Sequence, residues 1–450
     1  MKPIFNTEKI FIEERLGIKL PDGCWRKGKG IYLNADEDTK ILTLKVEKSK
    51  LYIKKDTIEK VLAKYKNKTW QEEIDENTER LDMLFNESVM MTKEFIQANP
   101  NHELRPSHSG GKDSDVTWCV LQRVFNELKI KDFTIDFMNS TNETAHTYYH
   151  IKQDLPQEHL QINNPPKGWY QWIKEDKNYY IPTVMVRNCC STYKEGRIKE
   201  ILDKKKDYIM FLGARRQESA KRKEYDWDLN KRMNELYLET GKNKYKLNAP
   251  KNWLRFLPIV EWSDKDIWLY ILREDLKINE QYYMGFSRVG CLLCPYASDY
   301  TDLLIEHFYP FLYNRWCDVL EINYDLYNVK NRLKWTKEEY AREGRWKQGT
   351  SKESEYITKN PTPERVRAVA EMKGCSEEIA IKYFKQKCSC DKKLNPDEVA
   401  LYLKVFGRYE DKADNRTYLC KGCMSKEMGW TKKEYAEKIR EFRESGCNLF

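Results

Sequence analysis

The sequence has no long apolar run. Of its 450 residues, 34% are Asp, Glu, Lys or Arg. No window approaches 18 consecutive apolar side chains, so no helical membrane span is expected. The opening stretch, MKPIFNTEKIFIEERLG, sets acids beside its apolar residues and lacks the smooth apolar segment of a signal peptide. A cytoplasmic location is the resulting expectation. Excess charge is small as well: 80 Lys and Arg against 71 Asp and Glu leave +9. That surplus suits an anionic partner, a nucleotide or a nucleic acid, but equally a lysine-rich solvated surface, and it does not require nucleic acid. Repeats are missing too. The phrase WTKEEYAREGR at 335–345 returns once, as WTKKEYAEKIR at 430–440, and one echo is not an array.

What is present is a globular composition, 40% hydrophobic and 13% aromatic, on a chain long enough for two or three domains. Thirteen cysteines are many for a reducing compartment. Eight fall in four tight local pairs: Cys189 with Cys190, Cys291 with Cys294, Cys388 with Cys390, and Cys420 with Cys423. Tight pairs in such a compartment read as metal or cluster ligands rather than as a disulfide frame.

The order of apolar patterns divides the chain. Residues 1–75 carry short strand signals at 31–33, 41–46 and 51–53, then a helix behind Asp56, and read as a small β-rich domain. Residues 76–300 alternate helix and strand: a helix near 79–98, one over 115–128, a strand at 133–138, a helix near 143–155, and a strand at 208–213. Such alternation predicts a parallel α/β sheet covered on both faces, with ligands outside the carboxyl ends of its strands. Residues 301–385 turn helical and charged, with a capping box at Thr336 and Glu339 and two short helices broken at Gly374. Residues 386–450 hold the last two cysteine pairs.

At 109–114 stands SGGKDS, just ahead of the helical run. It does not have the Walker A spacing, yet it has the parts of an anion cradle. Gly110 and Gly111 let the backbone turn and bring amides close to an anion. The following helix adds its positive end. Lys112 supplies a mobile charge, and Ser109 and Ser114 supply hydroxyls. Asp113 would repel a bare phosphate, so it is expected to orient the loop or a metal ion such as Mg2+. An ordinary turn with a helix cap is the alternative. Arg215, Arg216, Lys221 and Arg222 cluster after the strand at 208–213, and guanidinium forks match sulfate and phosphate oxygens. Thr141, Glu143 and Thr144 follow the strand at 133–138, where they either reach a ribose or base or simply cap a helix.

SGGKDS resembles the PP-loop of the ATP pyrophosphatase (adenine nucleotide alpha hydrolase-like) superfamily, and further segments resemble its phosphoadenosine phosphosulfate (PAPS) reductase branch. These are FTIDFMNSTNET at 133–144, RNCCSTYKEG at 187–196, LGARRQESAKR at 212–222, LPIVEWSDKDIWLYI at 257–271 and RVGCLLCP at 288–295. They keep the family's order over roughly half the chain. The resemblance implies a PP-loop core within an α/β fold. It implies an adenine nucleotide (ATP, adenylyl sulfate or PAPS) held by Ser109, Gly110, Gly111, Lys112, Asp113, Ser114, Thr141, Glu143, Lys194, Arg215, Arg216 and Arg222.

The cysteine pairs form two sets. The four thiols of Cys189, Cys190, Cys291 and Cys294 suit tetrahedral zinc or a four-iron cluster. Adjacent cysteines are awkward for a zinc knuckle, and the resemblance implies a [4Fe–4S] cluster, with structural zinc and free buried thiols as alternatives. Cys388-x-Cys390 with Cys420-x-x-Cys423 reads as a structural Zn2+ site in a zinc-ribbon-like module too small to fold without its metal. Two pairs of unrelated thiols are the alternative. The family's mobile terminal cysteine has a positional counterpart in Cys447 of ESGCNLF. Here, however, the glycine precedes the cysteine and no histidine comes after it. Lys112, Asp113 and Cys447 are the candidate catalytic residues.

Three functions are consistent with these readings. One is a PAPS reductase-like enzyme, in which a thiol attacks the sulfur of an adenylyl nucleotide and a thioredoxin-like reductant releases sulfite. The second is an iron–sulfur ATP pyrophosphatase that adenylylates and thiolates DNA or tRNA, with the outer modules as nucleic-acid docking units. The third is a nucleotide sensor without turnover.

Overall fold

The computed structural model describes every residue except 184–187, 195, 220–221, 243–244, 247–249, 329–332, 349–355, 358–360, 385–387, 389, 391, 393, 407–417 and 445–450. The chain forms two compact units, Met1–Val319 and Leu320–Phe450.

In the first unit, β1 (Lys2–Pro3), β2 (Trp25–Lys27), β3 (Gly30–Tyr32), β4 (Lys40–Glu47) and β5 (Lys50–Asp56) make an antiparallel sheet in sequence order. The strand signals correspond to β3, β4 and β5, while β1 and β2 are too short and too charged to show a period. The sheet shares one apolar core with the helices downstream of it: Phe5, Trp25 and Tyr32 lie in the same cluster as Leu81, Val120 and Trp268. Its polar side reaches further. Glu8, fully buried, pairs with Lys2 and Arg26, and Arg26 donates to the Gly285 carbonyl and, at 3.0 Å, to Ser287 Oγ. The β-rich segment thus braces the loop that leads to Cys291.

Helix Trp70–Ala98 starts at a capping box, Thr69 with Glu72. It buries Ile74, Leu81, Leu84, Val89 and Ile96 on one face, the spacing of an amphipathic helix. That face packs against helices Lys112–Leu128 and Asp264–Arg273.

The second sheet is parallel. Strands β6 (Glu103–Pro106), β9 (Tyr208–Phe211) and β10 (Trp253–Phe256) run in the order β10-β9-β6, and β7 (Ile135–Met138) pairs with β8 (Leu160–Asn163). A parallel bridge between Ser107 and Asp136 joins the two parts, supported by His108 N donating to Asp136 O at 2.9 Å. The order is therefore β10-β9-β6-β7-β8. From β6 the chain moves outward to β7 on one side, and later to β9 on the other. The split leaves a crevice at the carboxyl ends of β6 and β9, where open α/β sheets bind ligands. SGGKDS comes after β6, and LGARR after β9.

Strand β6 is invisible to periodicity. Of its four residues, ELRP, only Leu104 is a typical strand former. Arg105 is buried because it forms a two-pronged ion pair with Asp136 of β7, at 2.8 and 2.7 Å.

In the second unit, helix Lys337–Arg342 begins at the expected Thr336–Glu339 box, and helix Pro363–Lys373 ends at Gly374 with φ +64°. Val366, Val369, Ile381 and Phe384 form a core that includes Cys388, Leu394, Val399, Tyr418 and Cys420. Helices Pro396–Phe406, Lys421–Met428 and Lys432–Glu444 complete it. Among the described residues of 386–450 the one β contact is the bridge between Cys388 and Tyr418. The cysteine module is therefore framed by helices, without the hairpins of a ribbon among the described elements.

Candidate active site

The glycine loop is held from several sides. Gly110 sits at φ +75°, and a Cβ there would lie 2.8 Å from Thr147 Cγ2, so only glycine fits. Ser109 N donates to Ser114 Oγ at 3.1 Å, and the two hydroxyls lie 2.8 Å apart. The Lys112 amide donates to the buried Tyr282 hydroxyl at 2.9 Å. Behind the loop, helix Lys112–Leu128 points its positive end at the crevice.

Over the loop lies an ionic network that closes on itself. Lys112 Nζ stands 2.8 Å from Asp113 Oδ2 and 3.1 Å from Asp264 Oδ1. Arg215 donates from Nε to Asp113 Oδ1 at 2.6 Å and from Nη2 to Asp264 Oδ1 at 2.8 Å. Burial alone would raise the Asp264 carboxyl, but the adjoining Lys112 and Arg215 hold it well below the usual carboxylate range. The Met1 amino group, its pKa pushed down by burial, also donates to Asp264 Oδ2 at 3.1 Å; apart from it, two cations meet two carboxylates. Asp113, expected to orient the loop or a metal ion, here pairs with Lys112 and Arg215.

The approach of β9 to the loop is close. A Cβ on Gly213 would meet the Asp113 carbonyl oxygen at 2.8 Å and Thr117 Oγ1 at 3.0 Å. Backbone cannot yield there as a side chain can. Gly213→Ala is expected to lower stability by about 1–3 kcal/mol, the usual cost of overpacking, and to weaken nucleotide binding. Melting and equilibrium binding of ATP would check both.

The remaining expected ligands are dispersed. Thr141 adopts φ +55°; its Oγ1 accepts from Trp169 N at 2.7 Å and its amide donates to Asn139 Oδ1 at 2.7 Å. The Glu143 carboxylate accepts from the Ser140 and Asn142 amides at 3.1 and 3.2 Å. Both side chains stabilise the loop after β7, and Thr144 precedes helix Ala145–Asp154. The arginine cluster divides: Arg215 reaches the loop, Arg216 pairs with Asp226 and Glu261, and Arg222 pairs with Glu218. Lys221 and Cys447 lie outside the described residues.

The first cysteine set adjoins the loop. Cys189 and Cys190 lie on the short helix Asn188–Tyr193; Cys291 and Cys294 lie in the turn before helix Asp299–Phe308. Leu292 N donates to Asn142 O at 2.6 Å, and Ser140 Oγ lies 3.4 Å from Cys291 Sγ. A Cβ on Gly111 would come within 4.0 Å of Val289, two positions before Cys291. The four thiols lie near enough to influence one another: a hydrogen bond with Cys190, then burial, then the thiols of Cys291 and Cys294 push Cys189 upward. Burial does the same to Cys294. Lys194 is half-buried among them. Burial opposes its charge, yet Cys291 and Glu143 hold its ammonium above the ordinary lysine value. Four neighbouring thiols with one half-buried cation fit a cluster whose thiolate-bound form is net negative.

The second set is tighter. The sulfurs of Cys388, Cys390, Cys420 and Cys423 all lie within 4.8 Å of one another, and Cys390 and Cys420 are 3.8 Å apart. A tetrahedron with Zn–S bonds of about 2.3 Å has edges of about 3.8 Å. Four irons would hold the sulfurs farther apart. The Cys420 amide donates to Cys388 Sγ at 3.1 Å, and the hydrogen bond with Cys388 is foremost among the thiol contacts that push Cys423 up to about 12. Four thiols this close cannot ionise together without a cation, so the donor set fits Zn2+.

Motifs in the sequence do not single out several residues that hold the site: His108, Asp115, His150, Asn279 and Tyr282. Only the rarity of histidine, six in the chain, could draw attention to His108 beside the glycines. Asp264 lies inside the Trp-Ser-Asp motif, which gives it no role by spacing alone.

Residues 103–297 match the family model of the phosphoadenosine phosphosulfate reductase domain. An uncharacterized protein of Methanocaldococcus jannaschii is 28% identical over 54% of this chain and 54% of its own length. An adenosine 5'-phosphosulfate reductase of Neisseria meningitidis is 27% identical over 37% of this chain and 62% of its own. This chain spans about half the length of the first curated relatives it matches. Among solved structures, the phosphate complex of Candida auris PAPS reductase superposes with a TM-score of 0.31 at 13% identity, covering 47% of this chain and 94% of that one.

Proposed function

With residues 103–297 matching the phosphoadenosine phosphosulfate reductase domain, we propose that this chain is an enzyme that binds an adenylyl nucleotide for sulfur chemistry. The observation that carries this reading is the junction of the two sites: the Lys112–Arg215 pair over the glycine loop, and the thiol set of Cys189, Cys190, Cys291 and Cys294 reached through Val289 and Ser140. In the reductive version, a thiolate attacks the sulfur of adenylyl sulfate. The S–O bond breaks, AMP leaves with the electron pair, and a thiosulfonate forms. A second thiolate then attacks the thiosulfonate's thiol sulfur, giving a disulfide and releasing sulfite. Arg215 and Lys112 neutralise the departing anion. Cys447 is the candidate nucleophile by its place in the sequence. A [4Fe–4S] group on the four thiols would supply electrostatic tuning beside the substrate, with Lys194 as its countercharge.

A specific observation favours a second version. Asp113 and Asp264 already neutralise the two cations at the loop. A metal-free sulfate gains less there than ATP carrying Mg2+, whose charge the two carboxylates would welcome. In that version ATP adenylylates an oxygen of a nucleic acid and pyrophosphate leaves; the outer sulfur of a cysteine persulfide then displaces AMP, and a second thiol attacks the inner sulfur, leaving the outer sulfur on the nucleic acid and a disulfide on the protein.

Turnover separates the two. The purified chain, prepared anaerobically, is given adenylyl sulfate with a dithiol, or ATP with Mg2+ and with DNA or tRNA. Sulfite from the first supports reduction, and pyrophosphate stimulated by nucleic acid supports thiolation. Neither product from an iron-loaded sample would overturn the enzyme reading.

A further inference from the structure

Beneath the glycine loop lies a buried chain of side chains that neither version of the chemistry uses. His108 stands directly before SGGKDS, Asp115 lies on the first turn of helix Lys112–Leu128, and His150 lies on helix Ala145–Asp154. All three are buried, at 3%, 7% and 6% exposure. The Gly110 amide donates to His108 Nδ1 at 3.2 Å. The ring's other nitrogen, Nε2, faces Asp115 Oδ1 at 3.2 Å. The same oxygen lies 2.7 Å from His150 Nε2, and His150 Nδ1 lies 2.9 Å from Asp154 Oδ2. The Gly110 carbonyl is held from the opposite side, by Asn279 Nδ2 at 3.3 Å, and Asn279 also donates to Thr147 Oγ1 at 3.1 Å.

This geometry dictates where protons sit. A nitrogen that accepts from a backbone amide is unprotonated, so the His108 proton belongs on Nε2, facing Asp115. A metal on Nε2 would require the proton on Nδ1, against the Gly110 N–H, so the trio reads as a charge-coupled cluster rather than a metal site, with His108 Nε2 in electrostatic contact with Asp115 at 3.2 Å and not in an aligned hydrogen bond. His150 lies between two carboxylates, and as an imidazolium it donates to both.

We propose that His108, Asp115 and His150 are positioning residues for nucleotide binding: a buried relay that fixes the His108 tautomer, and through it the Gly110 turn that presents the loop to phosphate. The proposal rests on the reading of the loop as a nucleotide site. Gly110 is the one residue of SGGKDS with a left-handed backbone, so its peptide decides which way the following amides point. Holding that peptide at both ends spares the nucleotide the ordering cost of the loop. The charges facing the relay agree. Burial would raise Asp115, but His108 and His150 hold it low, and Asp115 and Asp154 hold His150 high against its own burial. Burial pushes Cys119, one turn along, up to about 12, so it adds no charge. Lys277 stands 4.0 Å from Asp154 at the outer end.

The test uses the full chain and two readouts. In equilibrium binding with ATP as the probe, His108→Ala is expected to lose tenfold or more in affinity. His108→Asn, whose side-chain oxygen takes the place of Nδ1, is expected to stay within threefold of wild type. Asp115→Asn is expected to lose affinity with the histidine still present. In 15N spectra of labelled histidine, the ring whose signals vanish in His108→Asn is expected to carry its proton on Nε2. A ring protonated on Nδ1, or His108→Ala binding ATP as well as wild type, would overturn the proposal. If the wild type binds neither ATP nor adenylyl sulfate, the nucleotide reading falls, and the relay is decided by the spectra and the Gly110 amide resonance. A resonance displaced in His108→Ala and restored in His108→Asn supports it; one unmoved in both overturns it.

Discussion

Lys112→Ala is expected to lower turnover of the adenylyl nucleotide by 10²–10³-fold, while the chain remains folded. The magnitude is that of removing one preorganised donor to a developing anion, about 2.7–4 kcal/mol. The network explains why the loss falls at the high end. Lys112 and Arg215 share Asp113 and Asp264. Without the lysine, the guanidinium and the buried Met1 amine face two carboxylates, and the cluster loses one positive charge where an anion must dock. Removing the Asp264 charge as well should restore part of the binding by offsetting the lost positive charge, so Lys112→Ala with Asp264→Asn is expected to bind ATP more tightly than Lys112→Ala alone. Pyrophosphate or sulfite release, with binding measured in parallel, checks both. A single variant within threefold of wild type would mean that the phosphates lie elsewhere.

The second large effect concerns the tight cysteine tetrad. Chelation, or Cys420→Ser, is expected to unfold the segment around 388–428. Structural zinc in small modules contributes an apparent 10–16 kcal/mol at neutral pH. The local core cannot replace that. It packs Cys388 and Cys420 themselves between Val399, Leu403 and Tyr418, so losing the metal leaves four thiols facing one another in the middle of it. Metal content should fall by one zinc per chain, and limited proteolysis should cut first between residues 385 and 430. Nucleotide binding, which uses residues of Met1–Val319, should survive. A Cys420→Ser chain with wild-type zinc and wild-type melting would refute the assignment.

Legibility differs from element to element. Helices Trp70–Ala98 and Lys112–Leu128 can be read from their apolar faces because one side of each meets the core. The glycine loop can be read because its chemistry is local: six consecutive residues contain the turn, the hydroxyls and the cation. The cysteine pairs can be read for the same reason. Strand β6 cannot, because its buried residue is an arginine whose burial is permitted only by Asp136, 31 positions away. The arginine cluster reads as one group in the sequence. In the structure Arg215 turns to the loop while Arg216 and Arg222 are taken by Glu261, Asp226 and Glu218, and no spacing rule distinguishes them. Thr141 and Glu143 read as nucleotide ligands; in the structure Thr141 Oγ1 accepts from Trp169 N, at the start of another helix, and Glu143 accepts from the amides of its own loop.

By itself, the sequence determined the local ingredients: a glycine turn with a cation and hydroxyls beside it, thiols in ligand-like pairs, and the resemblance to the PAPS reductase family over 103–297. Those are properties of neighbouring residues, and short-range spacing records them. Tertiary structure decided which charges meet. Asp264 neutralises Lys112 and Arg215 from a helix some 150 positions downstream of the loop, and His150 reaches Asp115 from another helix. Charge balance and proton placement depend on distances of a few ångströms between distant segments, and only the folded sheet, by bringing the carboxyl ends of β6 and β9 together, sets those distances.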